Sequence, residues 1–278
     1  MSLKKEFQAG IIHAVETVKQ TNPMAGSVTN TVTINFVANA QLAVGGSAAM
    51  VYMPDEAQFL AQAGGAAYIN VGTLEPVYEK TLPAMAKALH HSGKPWVLDP
   101  VAIGIGGLRT RLLQDFKFYK PSIIRGNASE IIALAGLWGL AGGTETSNVR
   151  GVDSQDAVAA ARNAAVALAQ WTGGAVAVSG KQDLVTNGAV AASCHGGSHF
   201  MEKITGSGCS LGGVMAVYAA AASAFIAALT GTAVYNLAGR RAAEKTDAPA
   251  SFQVCFLDEL YKANPKEIAD NPFDIEEV

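Results

Sequence analysis

No Asp, Glu, Lys or Arg occurs between Lys203 and Arg240. A run that long and that free of charge must be taken out of water. It either crosses a bilayer or lies enclosed in a large soluble fold. Its residue types decide between the two. The run is built largely from Ala, Gly, Ser and Thr, it starts in a polar glycine turn, and Thr230-Gly231-Thr232 interrupts it. The expectation is a pair of close-packed core helices broken at that tripeptide, with no membrane span.

The turn that opens the run, Thr205-Gly206-Ser207-Gly208-Cys209-Ser210, carries the first chemical signal. Glycines let backbone N–H groups come close to a ligand. A helix start adds free N–H donors and the positive end of the helix dipole, which favour an anion such as phosphate. The same position lowers a thiol's pKa, so Cys209 stands where a proton acceptor is useful. The competing reading is a glycine turn that only starts a core helix, with Cys209 as a small apolar residue.

The rest of the chain supplies what such helices would pack on. Half of the 278 residues are hydrophobic and 15% are charged, enough for a large core. Net charge is -3 without a basic stripe, which argues against nucleic acid as a partner. The three cysteines lack metal-knuckle spacing, and the N-terminus has no signal-peptide apolar core, so a cytoplasmic location is expected. Ala48–Tyr52, Ala67–Val71, Pro95–Asp99, Ser122–Arg125 and Ala175–Ser179 read as strands. Tyr78, Leu82, Met85 and Leu89 follow helical spacing, as do Val158, Ala161, Ala165 and Leu168 behind an N-cap at Asp153 or Ser154. Alternation of this kind predicts an α/β fold whose parallel sheet is covered on both faces and binds ligand at its carboxyl edge. Leu184–Ser193 suggests a hairpin around Asn187-Gly188, and Gly142–Asn148 a mobile surface loop. No linker or repeat divides the chain, so residues 1–278 read as one domain.

Acidic residues fall at the predicted carboxyl edge. Asp99 ends an apolar strand and can bind a metal or cap the following turn. Arg125 ends the next strand and presents a planar fork suited to phosphate oxygens. Asn127 and Glu130 have the spacing of a capping box, while Asp99 and Glu130 together could hold hydrated Mg²⁺. Gly93-Lys94 and Gly180-Lys181 do not complete a Walker A motif. A dinucleotide fold would need an acidic ribose partner inside the charge-free run. Cys194, His195 and His199 make a poor zinc set, and His90-His91 reads as a solvated helix end.

In order and content these segments resemble the hydroxyethylthiazole kinases, ribokinase-like enzymes of thiamine salvage. The resemblance runs through Val28-Thr29-Asn30, Asn35-Phe36 with Ala38-Asn39, Leu42–Ser47, Asn70–Leu74, Leu98–Val101, Ile124–Asn127 with Glu130, and Lys203–Cys209. Many kinases of the wider superfamily carry Asp where this chain has Cys209, and cysteine there points to the thiazole branch. The resemblance implies a three-layer α/β/α fold with a mostly parallel sheet. It implies Mg²⁺-dependent transfer of the ATP γ-phosphate to the primary alcohol of 4-methyl-5-(2-hydroxyethyl)thiazole. In that scheme Gly206, Ser207 and Gly208 form the anion hole and Cys209 sits beside the attacking hydroxyl. Asp99 and Glu130 organise Mg²⁺, Arg125 and Ser179 contact ATP, and Met50 and Gly206 contact the thiazole. The resemblance also implies a homotrimer with active sites between subunits. This chain departs from the usual pattern with Gly26-Ser27 in place of His-Asn, and with Ser179 in place of Thr. The alternatives are a related kinase for another small heteroaromatic alcohol, a nucleotide-linked dehydratase or oxidoreductase, and a binding protein without turnover.

Overall fold

Short apolar strands alternating with longer segments of helical period set the order of elements. The computed structural model describes residues 2–144 and 155–278. The first half holds α1 (Leu3–Thr21), β1 (Met24–Val28), α2 (Ile34–Ala43), β2 (Ser47–Met50), α3 (Pro54–Ala63), β3 (Ala66–Asn70), α4 (Tyr78–Ser92), β4 (Trp96–Asp99), α5 (Gly107–Tyr119), β5 (Ile123–Asn127) and α6 (Ala128–Leu137). The second holds α7 (Gln155–Thr172), β6 (Ala175–Ser179), β7 (Asp183–Thr186), β8 (Val190–Cys194), α8 (Ser207–Ala219), α9 (Ala224–Ala243), α10 (Pro249–Lys262), α11 (Pro265–Ala269) and β9 (Phe273–Glu277).

The strands form one sheet in the order β2-β1-β3-β4-β5-β6-β7-β8-β9. It is parallel from β2 to β6, and β7, β8 and β9 add antiparallel strands at one edge. Successive strand residues face opposite sides, so each strand feeds two cores. Val97 and Ile123 point into the layer of α1, α2, α8, α9 and α10, while Trp96, Leu98 and Ile124 point into the layer of α3 to α7. The result is a three-layer α/β/α fold with a mostly parallel sheet.

The charge-free run becomes α8 and α9, both almost wholly buried. α8 lies on the centre of the sheet, where Gly212 meets the Tyr68 ring and Gly213 meets Val37. No helix of the described residues is long and apolar enough to cross a membrane. The break between the two helices falls at Ala220–Ser223, not at Thr230-Gly231-Thr232. Thr230 and Thr232 are helical and buried, and their hydroxyls are satisfied by donating to the carbonyls of Ile226 and Ala228 one turn back. Gly231 lets Met215 of α8 pack against the backbone of α9.

The hairpin expected around Asn187-Gly188 is present as β7–β8, with Gly188 at φ +86°. The Asn187 side chain accepts from the N–H groups of Ala189 and Val190. His90 and His91 end α4, beyond which Gly93 takes a left-handed conformation. The proposed caps Asp153 and Ser154, and residues 145–148 of the expected loop, lie outside the described residues.

Candidate active site

The sheet's carboxyl edge gathers most of the polar residues singled out from the sequence. Parallel strands deliver side chains at or near their carboxyl ends to one edge, so Asn70, Asp99, Arg125 and Ser179 become neighbours across β3, β4, β5 and β6, with β5 running two residues beyond Arg125. Asp99 is fully buried. Its Oδ2 accepts hydrogen bonds from Tyr68 Oη at 3.0 Å, Asn70 Nδ2 at 3.2 Å and Arg125 Nη1 at 3.3 Å. Its Oδ1 has no partner among the described residues. Arg125 Nη2 donates to Ser179 Oγ at 3.0 Å.

Burial sets the charges here. It pushes the Asp99 carboxyl up to about 6, against the pull of Arg125. Burial also works against the Arg125 cation, but Asp99 and Glu130 outweigh it and hold the guanidinium firmly charged. Tyr68 is driven well above its ordinary range by burial and by the neighbouring Asp99, so it serves as a neutral donor.

The glycine turn closes over this edge as anticipated. Gly206 is the N-cap of α8 with φ +90°, a left-handed conformation suited to glycine. Ser207 Oγ donates to the carbonyl of Met201 and so fixes the turn. Gly208 faces the Arg125 guanidinium, where a Cβ would stand 2.6 Å from Nη1. A cation and the open N–H groups of a helix start therefore meet at one point. Beside them lies a cavity of about 530 Å³. Arg125, Ser179, Ser207 and Gly208 line it, with Lys181, Asp183 and Asn236 on its far walls.

Cys209 differs from the sequence expectation. Burial, followed by the charge of Asp99, pushes its thiol up, while Arg125, Thr33 and Asn30 pull it back. The helix start does not overcome desolvation, so the free protein holds a thiol where a lowered pKa was expected. Asn30 Nδ2 donates to its Sγ at 3.4 Å.

Glu130 is committed to the helix as well as being close to the charges. Its Oε2 accepts from Asn127 N, and Asn127 Oδ1 accepts from Glu130 N, which completes a capping box on α6. Its charge still acts on both Asp99 and Arg125. Among the described residues no group of three or more His, Cys, Asp or Glu forms a metal cage. Mg²⁺ asks for less, since one or two carboxylates with water and phosphate suffice. The unpartnered Oδ1 of Asp99 fits that demand.

Met50 is not part of the cavity. It ends the edge strand β2, in register with Ser27 of β1 and away from β5 and β6. A shallower hollow of about 360 Å³ lies near this edge, lined by Val51, Asp55, Glu56, Phe59 and Leu60. A side chain at Gly26 would enter the packing of α3 on β1. A Cβ there would stand 2.9 Å from Leu60 Cβ of α3, and the Ser27 hydroxyl accepts from buried Gln41. His195 pairs with Asp274 of β9, and Cys194 is buried.

Tyr68, Asn30, Asn70 and Asp183 were given no role from sequence. Asp183 is held by Gly180 N and by Asn236 Nδ2. The available signal was an amide ending an otherwise apolar strand, as Asn70 does in Ala66–Asn70.

A sequence profile described as the hydroxyethylthiazole kinase family matches residues 15–266. The chain belongs to the hydroxyethylthiazole kinase family. A hydroxyethylthiazole kinase of Bifidobacterium longum subsp. infantis is 49% identical over 279 residues, spanning 94% of this chain and 89% of its own. One from Cereibacter sphaeroides is 41% identical over 254 residues, spanning 91% and 94%. The solved hydroxyethylthiazole kinase protein of Pyrococcus horikoshii OT3 superposes with a TM-score of 0.84 at 27% identity, covering 96% of this chain and 98% of that one. A pyridoxal kinase from Staphylococcus aureus shares the fold at 14% identity with a TM-score of 0.59. Membership in this hydroxyethylthiazole kinase family makes the chain a kinase.

Proposed function

We propose that this kinase transfers the γ-phosphoryl group of ATP to the primary alcohol of 4-methyl-5-(2-hydroxyethyl)thiazole, a step of thiamine salvage carried out in the cytoplasm. The observation that carries the reading is the contact of Gly208 with the Arg125 guanidinium at the cavity wall. Phosphoryl transfer asks mainly for alignment and for stabilisation of charge on the moving group. The N–H groups of Ser207 and Gly208, the α8 dipole and Arg125 supply both.

ATP would lie in the 530 Å³ cavity, with Arg125 and Ser179 toward its phosphates and Lys181 as a further cation. Asp99 and Glu130 would hold Mg²⁺, which supplies positive charge to polyphosphate oxygens when bound. Tyr68 and Asn70 keep the Asp99 carboxylate oriented by donating to its Oδ2. Cys209 would sit beside the attacking hydroxyl. Because its sulfur is a thiol in the free protein, its first service is to position that hydroxyl.

A homotrimer with sites between subunits accounts for Met50, the residue proposed to contact the thiazole together with Gly206. It ends the edge strand, and the exposed apolar side chains of Met53 and Phe59 follow it in sequence. Such surface is suited to an obligate interface. The deciding experiment is an alcohol panel with ATP and Mg²⁺, read by phosphorus NMR and paired with sedimentation. Thiazole phosphorylation by a trimer supports the reading. Phosphorylation only of a pyrimidine alcohol would leave a kinase for a different ring, and ATP binding without turnover would leave a binding protein.

A further inference from the structure

The polarity of the hydrogen bonds behind Cys209 can be worked out from a single backbone group. Gly72 N can only donate, and it donates to Asn70 Oδ1 at 2.8 Å. The Asn70 nitrogen is thereby turned to Tyr68 Oη at 2.8 Å and to Asp99 Oδ2 at 3.2 Å, where a carboxylate needs a donor. Asn30 must then present its NH₂ group to Asn70 Oδ1, which it does at 3.1 Å. The opposite orientation would set two amide oxygens against each other. The same NH₂ group is 3.4 Å from Cys209 Sγ, so its second hydrogen is aimed at sulfur.

The surroundings lock this chain in place. A Cβ on Gly72 would meet Asn30 Cβ and Asn70 Oδ1 at 2.9 Å and Asn30 Nδ2 at 3.0 Å. No side chain fits where the amides close on the loop. Arg109 fastens that loop from outside by donating to the carbonyls of Val71 and Gly72. Asn30 is itself buried, so its amide has no water to turn to.

We propose that Asn30 is a positioning residue that holds the Cys209 sulfur as a hydrogen-bond acceptor. The Cys209 S–H is then turned away from Asn30. Because Asn70 also holds Asp99 Oδ2, a single amide chain ties the acceptor side of the site to the Asp99–Arg125 pair on the phosphate side. An N–H aimed at sulfur strengthens as negative charge grows there, so the same contact favours the thiolate, the form that reacts. The catalytic meaning rests on the proposed function, whereas the contact itself can be tested without turnover.

The test is alkylation by iodoacetamide in the ligand-free protein, resolved by peptide mass spectrometry, with half-buried Cys255 of α10 as internal reference. Asn30→Asp keeps the shape and replaces the donor with an acceptor. It should slow Cys209 relative to Cys255 by about tenfold, the equivalent of one hydrogen bond to a charged group. Asn30→Leu should slow it in the same direction. Gly72→Ala, which forces the amides apart from the other side, serves if neither variant folds. Unchanged or faster Cys209 alkylation in the folded variants overturns the proposal. Should Cys209 resist the reagent in the parent protein, turnover decides. Asn30→Asp should lower kcat about tenfold with KM values nearly unchanged, and should have little further effect in a Cys209→Ala background. Equal losses in both backgrounds overturn the proposal. Failure of the thiazole panel alone would remove the substrate assignment and leave the alkylation comparison standing.

Discussion

The backbone of Gly208 rests against the guanidinium of Arg125, with a hypothetical Cβ only 2.6 Å from both Nη1 and Nη2. Any side chain at position 208 would have to push the buried guanidinium aside. The same closeness brings a fixed cation to the positive end of α8. The two favour the same ligand, an anion, and repel each other less than two ions would because the helix end carries only partial charge. Asp99 on the far side of Arg125 holds the guanidinium in place.

Gly208→Ala should therefore displace Arg125 from Asp99 and from the helix start. Overpacking of this kind costs about 1–3 kcal/mol of stability. The loss in turnover should be larger, about 10²-fold or more, as when one anion-hole group is removed. Thermal melting and kcat on the same preparation check this. Full turnover would mean that the phosphate site does not need this contact.

Glu130→Gln separates two roles that the fold gives to one side chain. A capping box accepts Gln as well as Glu, so α6 should keep its cap and the melting temperature should barely move. The charge that reaches Asp99 and Arg125 is lost. The expected result is a higher Mg²⁺ requirement for turnover. An unchanged Mg²⁺ titration would leave Glu130 as a cap alone.

Much of this site could be read from the chain because parallel strands place their last residues side by side. Asp99 ends an apolar strand, and Arg125 lies two residues from the end of the next, which runs on to Asn127 where the sequence suggested a stop at Arg125. The capping-box spacing of Asn127 and Glu130 was equally local. What stayed hidden depends on three-dimensional neighbours. Nothing around Cys209 in sequence reveals that burial outweighs the helix dipole, and nothing near Gly26 reveals Leu60 of α3. The helix break falls at Ala220–Ser223 and not at Thr230-Gly231-Thr232, because buried threonine hydroxyls can be satisfied inside a helix and so need not mark its end.

The pH response follows from Asp99. Its carboxyl is raised from 3.8 to about 6, chiefly by burial. A raised carboxyl means that the fold binds this proton more tightly than the unfolded chain does, so ionisation costs stability. The cost is absent below the ordinary value and is complete above the raised one. Between about pH 4 and pH 7, ligand-free protein should gain stability through this group as the pH falls. Turnover should fall over the same range, because the ion pair with Arg125 and the proposed Mg²⁺ both need the ionised form. Melting of the ligand-free parent protein and of Asp99→Asn across this range is the check, with the parent gaining on the variant toward acid. A constant gap would show that Arg125 keeps the carboxyl near its ordinary value.

Cys209→Ala should reduce turnover without abolishing it. A positioned proton acceptor commonly contributes about 10²–10⁴-fold. The thiol is held up by burial, so the loss should lie at the low end of that range. ATP binding should be nearly intact, since Cys209 does not line the cavity proposed to take ATP. Cys209→Asp should be tolerated, because a carboxylate can accept from the same Asn30 amide. Single-turnover rates decide the matter, and an unchanged chemical step in Cys209→Ala would reduce the thiol to packing.

The resemblance puts a His-Asn pair where this chain has Gly26-Ser27. Packing around Gly26 decides what restoring that pair would do. The Cβ direction at Gly26 leads into Leu60 Cβ at 2.9 Å and Leu60 Cδ1 at 3.1 Å, inside the packing of α3 on β1. Ser27 is fully buried and its hydroxyl accepts from Gln41, which also donates to the Gly213 carbonyl of α8. A larger side chain at either position meets packed atoms before it meets a ligand. Gly26→Ala should cost about 1–3 kcal/mol by overpacking. The Gly26→His, Ser27→Asn double variant should lose more, because it also strands Gln41. The KM for the thiazole should rise or stay level as the protein loosens. Melting temperature and KM measured together distinguish the cases. A double variant that melts no lower than the parent and binds the thiazole more tightly would show that α3 yields at Leu60 and that this strand end does face the ring.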